Sequence, residues 1–434
     1  MKRRNVAILG AAGRDYWNFL MKYKDNPYYD VKFFTQAQIP GIERRSFPKE
    51  LAGRLYKKDI PFFTEEKLPE LIKKYKINDV VFSYSDVSHE DVMHKASIVL
   101  ANGANFVLLG PFDTMLKSKK KVISVCAVRT GSGKSQTTRY VARLLKELGK
   151  KVVIIRHPMP YGDLRKQAVQ RFAVYEDFKK HNCTIEEMEE YEQHINEGNV
   201  VYAGVNYKKI LELAEKECDV ILFDGGNNDF SFYKSDLLIV VADPHRPGHE
   251  ILYHPGETNL RMADVIIINK VNTAKKKNIE LIKRNIKKYN PKAIVFEGAS
   301  EIHLEPKIKL EGKKVMVIED GPTLTHGNMK YGAGFIISKK SKAKIIDPNL
   351  YAKGAIKNVL KRYELEKVVP AMGYSKEEVQ DLEKTINASP CEYIVDASPV
   401  NLERLIKTKK QLIQVKYDLR VKGNLKSEIK KAIQ

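Results

Sequence analysis

The chain has 434 residues, of which 43% are hydrophobic, so it is long enough for two or three domains with cores of ordinary composition. Its four cysteines are scattered without metal-ligand spacing, which excludes a disulfide framework and favours a reducing compartment. The apolar runs are too short to span a membrane and the start is unlike a signal peptide, so we expect a cytoplasmic protein without a membrane partner.

The formal net charge of +22 at pH 7 calls for a partner of opposite sign. The lysines are spread over predicted helix faces, and no aromatic-rich RNA-binding motif appears, so no nucleic-acid partner is expected. A solvated surface of lysine and glutamate explains much of the excess. For the rest of the excess positive charge, the partner that we expect is a small phosphorylated or acidic substrate.

Residues 1–118 are predicted to form a Rossmann-like α/β domain. The stretch "NVAILGAAGRDY" predicts a strand, a turn and a helix, and "YDVKFFTQ", "NDVVFSYSD" and "NFVLLGP" predict further strands. Helices are expected over residues 65–75 and 89–100. Gly10 and Gly13 give half of a dinucleotide fingerprint, and no acidic residue follows the second strand. A scaffold or substrate-side role is therefore favoured, and nucleotide binding by this domain stays open.

Residues 125–140, "VCAVRTGSGKSQTTRY", resemble a phosphate-binding loop between a buried strand (121–128) and an amphipathic helix that ends near residue 148. The strict pattern has glycine where this chain has Val128, but the Gly-Lys-Ser core is retained. Lys134 is predicted to reach the β- and γ-phosphates, and the Ser135 hydroxyl to bind Mg²⁺. The residues expected to bind the nucleotide in this loop are Thr130, Gly131, Ser132, Gly133, Lys134, Ser135 and Gln136.

Residues 119–434 are predicted to form a P-loop NTPase domain with a mainly parallel sheet and a C-terminal α/β extension. Its expected strands, such as "KKVVIIRHP", "CDVILFDGG", "DLLIVVADP" and "ADVIIINKV", are short and continuously apolar, as in sheets covered on both faces. The acidic stretch 172–200 is predicted to be a helical insertion over the site. A further boundary near 315–345 stays open, because "KKVMVIEDGP", "CEYIVDASP" and "KKQLIQVKYDL" continue the alternation of strands and helices.

Two motifs after these strands predict the metal and base contacts. Asp224 ends a strand, and its carboxylate is expected to hold Mg²⁺ rather than to cap a turn. The stretch "INKVNT" stands where GTPases carry Asn-Lys-x-Asp, so Asn269 and Lys270 are expected to contact the base. Asn272 replaces the aspartate that selects guanine, so ATP is favoured as the cofactor while GTP stays open.

Arg129 lies five residues before Lys134, where one class of P-loop proteins carries a lysine that reaches the partner's nucleotide across a dimer. Arg129 is therefore a candidate arginine finger in a homodimer. The alternative, which the sequence does not exclude, is an ion pair with a carboxylate of its own chain.

Three loops that follow predicted strands combine histidines with basic or glycine-rich neighbours. These loops are residues 156–164, 243–250 and 319–334, and together they predict a cradle for an anionic substrate. Metal binding by the histidines is less favoured, because no helical i, i+4 pair occurs. Asp163 is the candidate for orienting a nucleophile. The substrate-binding candidates are Arg156, His157, His245, Arg246, His249, Thr325, His326 and Lys330.

Taken together, "VRTGSGKSQTTR", "RHPMPYGDLRKQAVQRF", "DGGNNDF", "DPHRPGHE", "YHPGETNLRMADVIIINKV" and "EDGPTLTHGNMKYGAG" resemble an archaeal family of predicted P-loop GTPases labelled cyclic 2,3-diphosphoglycerate synthetase-like. The resemblance covers nearly the whole chain. It implies an ATP-driven ligase that phosphorylates one phosphate of 2,3-diphosphoglycerate and closes an intramolecular anhydride. The catalytic candidates are then Arg129, Lys134, Asp163 and Asp224. The alternative is a regulatory or metal-centre maturation GTPase that acts on a protein partner.

Overall fold

A computed structural model describes residues 3–10, 13–36, 45–157, 164–226, 229–321, 324, 329–371, 376–398 and 401–434. Its contacts divide the chain into two compact units. The first unit comprises Met1–Arg171, Val200–Glu297 and Gly423–Gln434, and the second comprises Phe172–Asn199 and Gly298–Lys422. The boundary predicted at residue 118, and the further one near 315–345, stay predictions.

The strands alternate with helices along most of the chain. In chain order the strands are β1 (Arg4–Leu9), β2 (Tyr29–Gln36), β3 (Ser46–Phe47), β4 (Ile60–Thr64), β5 (Asp79–Phe82), β6 (Val87–Ser88), β7 (Asn105–Leu108), β8 (Lys121–Ala127), β9 (Val152–Arg156), β10 (Gln170–Phe172), β11 (Val200–Ala203), β12 (Val220–Asp224), β13 (Leu237–Ala242), β14 (Tyr253–His254), β15 (Val265–Ile268), β16 (Ile294–Glu305), β17 (Lys314–Glu319), β18 (Lys344–Ile345), β19 (Val369–Pro370), β20 (Tyr393–Ala397) and β21 (Gln411–Lys422).

The described helices range from 4 to 14 residues in length. In chain order they are α1 (Arg14–Asn18), α2 (Lys49–Ala52), α3 (Leu68–Tyr75), α4 (His89–Ala101), α5 (Lys134–Glu147), α6 (Glu176–Lys180), α7 (Ile185–Asn196), α8 (Tyr207–Ala214), α9 (Gly256–Met262), α10 (Lys276–Tyr289), α11 (Ala333–Lys340), α12 (Gly354–Tyr363), α13 (Lys376–Ala388) and α14 (Leu425–Ile433). Within the part of the chain that the structure describes, no helix is long and apolar enough to cross a membrane.

The first unit contains a six-stranded sheet with the order β3-β4-β2-β1-β5-β7. Every pairing is parallel except that of β3 with β4. The chain runs outward from β1 through β2 to β4 and then returns to β5 on the other side of β1. The order therefore reverses between β1 and β5, which is the place where open α/β sheets bind ligands at the carboxyl ends of their strands.

The nucleotide-binding sequence lies in a second parallel sheet of the same unit. Its strands follow the order β11-β9-β12-β8-β13-β15, and residues 294–297 of β16 pair with β15. Strands β8, β12 and β13 are buried almost throughout, because helices cover both faces of a parallel sheet and leave no polar face to the strands. The predicted α/β class with mainly parallel sheets is confirmed.

The two sheets of the first unit share a core. Trp17 of α1 is 1% exposed and stacks on Phe232 with ring centroids 4.9 Å apart. It belongs to a buried cluster with Val122 and Phe223 of the second sheet. A short antiparallel pair, β6 with β14, adds backbone hydrogen bonds between the same parts of the chain. The carboxyl end of the first sheet is thereby tied to the nucleotide-binding sheet.

The second unit has its own parallel strands in the order β21-β20-β17-β18, with β19 also paired to β17. The acidic stretch predicted as an insertion forms α6 and α7 and belongs to this unit. Glu192 of α7 accepts a hydrogen bond from the backbone N–H of Asn401 at 3.3 Å and lies 3.7 Å from Arg404. The helical prediction for this stretch is confirmed, and its position over the nucleotide site stays a prediction.

Candidate nucleotide and phosphoryl-transfer site

The loop between β8 and α5 has the backbone that a phosphate-binding loop requires. Gly131 and Gly133 have φ values of +78° and +103°, which side-chain-bearing residues rarely adopt. A Cβ atom on Gly133 would lie 2.0 Å from Nδ2 of Asn269, so the position also lacks room for a side chain. The Ser132 hydroxyl donates to the Arg129 carbonyl at 2.8 Å and fixes the loop from inside. The loop leads directly into α5, whose N-terminus favours bound anions.

A buried cluster of charge lies where the loop meets β12. The Asp224 carboxylate is fully buried and accepts a hydrogen bond from Nζ of Lys134 at 2.6 Å. Its other oxygen lies 2.6 Å from Nη1 of Arg156, and the Thr138 hydroxyl donates to the first oxygen at 3.0 Å. Two cations thus share one carboxylate. Burial, with the nearby Arg156 charge, lowers the pKa of Lys134 to about 8.

The same residues suit a magnesium ion that accompanies a nucleotide. Mg²⁺ usually takes one or two protein oxygens and completes its shell with phosphate oxygens and water. The Ser135 hydroxyl at the start of α5 and the Asp224 carboxylate offer this donor set. Across the described ranges, no group of three or more histidine, cysteine, aspartate or glutamate side chains could hold a metal by itself. The donor chemistry therefore fits an ion that arrives with phosphates, although the predicted metal role of both residues stays a prediction.

Asp243, at the end of β13, organises the opposite side of the loop, and sequence reasoning missed it. It is 2% exposed and lies 2.9 Å from Nζ of Lys270 and 3.1 Å from Nη2 of Arg246. Burial alone would raise the pKa of Asp243, but these two cations outweigh it and the pKa lies below its ordinary value. The sequence pattern that identified Asp224 was also present here, because an aspartate directly follows the apolar strand β13 in the same way as Asp224 ends β12.

Three residues that were predicted to contact a ligand instead form hydrogen bonds to the phosphate-binding loop in this structure. Lys270 donates to the Gly131 carbonyl at 2.6 Å, and Arg246 donates to the Thr130 carbonyl at 2.6 Å. Asn269 is fully buried and donates to the Ser132 carbonyl at 2.9 Å. The base contacts predicted for Asn269 and Lys270, and the substrate contact predicted for Arg246, stay predictions.

Arg129 is held by its own chain. Its Nε donates to Asp86 at 2.5 Å, Nη1 lies 2.6 Å from Nδ1 of His249, and the guanidinium lies 3.6 Å from the ring centroid of Tyr253. This is the alternative that the sequence left open, and Asp86 is a partner that sequence reasoning did not find. The contact links the phosphate loop to the turn after β5 of the first sheet. A role for Arg129 in a homodimer stays a prediction.

The described histidines of the predicted cradle lie close to other side chains of the protein. Nε2 of His157 lies 2.8 Å from Asp229, and Nε2 of His245 lies 2.8 Å from the Thr273 hydroxyl. Burial lowers the pKa of His245, and burial with the Arg129 charge lowers the pKa of His249 to about 4. His245 and His249 are therefore expected to be neutral at pH 7 and not to bind an anion as cations.

Of the remaining predicted site residues, Asp163, Thr325 and His326 lie outside the described residues. Lys330 belongs to the second unit, is exposed, and donates to the Tyr363 carbonyl at 3.0 Å. Gln136 is 4% exposed on the first turn of α5.

The lowered pKa of Lys134 predicts that ATP affinity falls as pH rises through about 8. Phosphate favours the protonated amine, so the bound pKa lies above the free one and binding above pH 8 takes up a proton. The dissociation constant should then rise by up to about tenfold per pH unit. Calorimetry between pH 7 and 9.5 measures it. Lys134→Arg is the control, because its charge does not titrate, and equal pH profiles for the two proteins would contradict the prediction.

Base selection tests the "NKVN" interpretation. Asn272 is exposed on the turn after β15. We expect the unmutated chain to prefer ATP, and Asn272→Asp to shift the ratio of dissociation constants toward GTP by about tenfold or more, because a carboxylate pairs with the guanine N–H groups. Asn272→Ala is the control and should gain no guanine affinity. Strong guanine selectivity in the unmutated chain would show that another residue reads the base.

Comparisons with known proteins identify a matching family model and two curated relatives. Residues 197–298, which include Asp224, Asp243 and Asn269, match the family model described as "Cyclic 2,3-diphosphoglycerate synthetase, P-loop domain". Arginine synthetase ArcE of Thermococcus kodakarensis is 57% identical over 427 residues, which are 98% of this chain and 95% of the relative. Cyclic 2,3-diphosphoglycerate synthetase of Thermococcus sibiricus is 23% identical over 292 residues, 59% of this chain and 63% of the relative.

Two solved structures align with the chain at low TM-scores. ATP-bound LpxK from Aquifex aeolicus aligns with a TM-score of 0.43 at 14% identity and covers 80% of this chain and 96% of its own. The ATP complex of Cyanothece McdA aligns with a TM-score of 0.24 at 14% identity and covers 42% of this chain and 83% of its own.

Proposed function

Because the chain belongs to the family of P-loop synthetases that contains arginine synthetase ArcE, we propose that it is a Mg²⁺-dependent, ATP-driven synthetase whose product is arginine. The resemblance to cyclic 2,3-diphosphoglycerate synthetase-like proteins predicted from the motifs is confirmed. The observation that carries the proposal of arginine is the 57% identity, which extends over 98% of the chain. The cyclic 2,3-diphosphoglycerate synthetase of Thermococcus sibiricus, whose name gives a different product, is only 23% identical over 59% of this chain.

The proposed chemistry joins ammonia to a ureido carbon. The ureido oxygen of citrulline attacks the γ-phosphorus of ATP, and ADP leaves with the electrons of the broken P–O bond. Ammonia then attacks the activated carbon, and inorganic phosphate leaves with the former ureido oxygen. The sum is citrulline, ATP and ammonia giving arginine, ADP and phosphate, with atoms and charge in balance. Such a reaction needs phosphoryl stabilisation and exclusion of water more than a strong base.

The buried charges of the first unit suit these needs. In this proposal the amine of Lys134, which now donates to Asp224, donates to the transferring phosphoryl group instead, and Asp224 keeps Arg156 as its partner. Ser135 and Asp224 would hold Mg²⁺, which would supply positive charge against the negative charge of the nucleotide phosphates. The contacts of Lys270 and Arg246 to the carbonyls of Gly131 and Thr130 support this role, because they fix the loop whose backbone N–H groups would bind the phosphates.

A second candidate function is cyclisation of 2,3-diphosphoglycerate, which the family-model match at 197–298 favours. The ion pairs among the described residues argue against a group of unpaired basic side chains that would bind an anionic substrate. Arg129, Arg156 and Arg246 each lie within 3.1 Å of a carboxylate of the chain. A polyanion would have to compete with these ion pairs, whereas citrulline carries no net charge near neutral pH. A regulatory GTPase that acts on a protein partner is the remaining alternative.

A turnover assay with defined acceptors tests the proposal. Purified protein with ATP and Mg²⁺ is given citrulline and ammonia, 2,3-diphosphoglycerate, or no acceptor, and the products are identified by mass spectrometry. We expect arginine and ADP in equal amounts, and no gain in turnover with 2,3-diphosphoglycerate. Lys134→Ala is the control for contaminating activity. Anhydride formation from 2,3-diphosphoglycerate without arginine would reverse the order of the two candidates, and GTP turnover that no metabolite stimulates would favour the GTPase.

A further inference from the structure

The first sheet ends in a strand that lacks a partner on its outer side. β7 (Asn105–Leu108) pairs in parallel with β5, and within the described ranges no strand lies beyond it. Alternate backbone groups of such a strand bond to its one neighbour, so the other groups of β7 face outward without a sheet partner. Natural proteins usually protect an edge strand with a charged residue, a proline or a bulge, and β7, with the sequence "NFVL", has none of these.

β7 also exposes a leucine on the face of the sheet that α4 covers. Phe106 packs against a buried cluster that includes Val92 and Val99 of α4. Side chains two residues apart on a strand lie on the same face, so Leu108 lies on the side of this helix. Leu108 is 49% exposed, because no further strand or helix among the described residues covers the edge.

Helix α4 exposes apolar side chains on its side toward this edge. Lys95 forms an ion pair with Glu65, which precedes α3, so that side of α4 faces α3. Met93 and Leu100 are two turns apart on the opposite side of the helix and are 62% and 57% exposed. Phe112, which follows β7, is 75% exposed. The edge patch is defined by these four exposed side chains, Met93, Leu100, Leu108 and Phe112.

Charge decides which partner suits the edge patch. The chain has a net charge of +22, so two copies repel each other wherever basic surfaces meet. Residues 96–112, "ASIVLANGANFVLLGPF", contain no charged residue, although 30% of the chain is charged. Such a surface offers no opposite charge to a nucleic acid or to an acidic protein. It does let two copies of this chain meet without burying like charges.

A two-fold axis beside β7 suits both the backbone and the side chains. An antiparallel strand pair is itself two-fold symmetric, so β7 of one copy can supply the donors and acceptors that β7 of the other lacks. The exposed fractions of the four side chains correspond to roughly 500 Å² per copy. A stable interface buries about 800 Å² per partner, and the paired strands with the exposed small residues of 96–112 supply the difference.

We propose that the protein forms a two-fold symmetric dimer in which the β7 strands of two copies pair antiparallel and the edge patches pack across the axis. The first sheets of the two copies then form one continuous sheet. The proposal goes beyond the reaction proposed above, because no residue of the edge patch belongs to the nucleotide site. It also differs from a dimer formed across Arg129, since Arg129 is buried against its own chain.

Sedimentation velocity of the full chain, over a range of protein and salt concentrations, tests the proposal. We expect a dimer whose dissociation constant falls severalfold between about 0.05 M and about 0.5 M NaCl. Salt screens the repulsion between the two net charges and leaves the contact between uncharged patches intact. A dimer that weakens as salt is added would be held by charged groups and would contradict the proposal.

A lysine in the edge patch should separate the two copies. Leu108→Lys places a charge from each copy beside the axis, and we expect it to raise the dissociation constant at least about a hundredfold. Thermal melting and ATP binding should not change, because Leu108 is half exposed and lies outside the nucleotide site. Leu350→Lys is the matched control, since it adds the same charge at a leucine that is 74% exposed elsewhere, and it should leave the dimer intact.

A second variant keeps the proposal testable if Leu108→Lys does not fold. Leu100→Lys, on the surface of α4, should separate the copies in the same way. An unmutated protein that stays monomeric at every protein and salt concentration would overturn the proposal. So would a dimer that the folded variants leave intact, or one that the Leu350→Lys control weakens as much as they do, because net charge and not the edge patch would then be the cause.

Discussion

Lys134→Ala should lower ATP turnover by at least about a hundredfold to a thousandfold, the effect of removing one donor aimed at the developing charge. The protein should remain folded, because Asp224 keeps Arg156 as a partner at 2.6 Å. The measurement is steady-state ADP release, with thermal melting to check the fold. Lys146→Ala is the matched control, since Lys146 is an exposed lysine of the same helix. Turnover by Lys134→Ala equal to that of the control would remove Lys134 from the site.

Asp224→Ala should abolish turnover and also destabilise the protein. It leaves Lys134 and Arg156, with side chains only 11% and 5% exposed, without the carboxylate that pairs with both. Removing one side of a buried ion pair costs about 3–5 kcal/mol. Thr138→Val, which removes a neutral hydrogen bond to the same carboxylate, is the control and should cost about 1 kcal/mol.

The stability of Asp224→Ala should depend on pH in a direction that identifies the cause. Without the carboxylate, the pKa of Lys134 falls further below its unfolded value of 10.5, so the folded state binds fewer protons than the unfolded state. The free energy of unfolding then rises with pH between the folded and unfolded pKa values. Denaturant unfolding at pH 6 and pH 9 should show a smaller deficit relative to the unmutated protein at pH 9. An equal deficit at both values would mean that lost packing, not unpaired charge, causes the instability.

Local sequence pattern was sufficient for the elements around the nucleotide loop. The strand expected over 121–128 is β8 (Lys121–Ala127), and the helix expected to end near residue 148 is α5 (Lys134–Glu147). A continuous apolar run, a glycine-rich turn and an amphipathic period are each set by neighbours within a few residues. Asp224 was found for the same reason, because it ends a fully apolar strand.

Contacts between distant parts of the chain were beyond this reasoning. Asp86 pairs with Arg129 across 43 residues, and the Arg246–Thr130 contact spans 116. Asp86 is an ordinary charged residue of a loop, and nothing in its neighbourhood marks it as the partner of Arg129; the sequence motifs around Thr130 and Arg246 likewise do not show that the two residues meet. The assignment of Phe172–Asn199 to the second unit depends likewise on residues near 401, more than 200 positions later.

The overall charge does not show how the basic residues of the site are paired. The net charge of +22 favoured an anionic substrate, which stays a prediction, and in the structure Lys134, Arg156 and Lys270 are paired with buried carboxylates. Net charge counts residues and says nothing about which of them face each other. Pairing decides what the site can bind, and it is visible only in the folded chain.

Transfer of oxygen from substrate to phosphate tests the proposed synthetase most directly. Citrulline labelled with ¹⁸O in its ureido group is incubated with the protein, ATP, Mg²⁺ and ammonia, and the inorganic phosphate is analysed by mass spectrometry. Phosphoryl transfer to the ureido oxygen predicts one ¹⁸O atom in each phosphate released, in an amount equal to the arginine formed. Unlabelled phosphate released while ATP is consumed would mean that water attacks the γ-phosphorus, and that the protein hydrolyses the nucleotide instead of using it for synthesis.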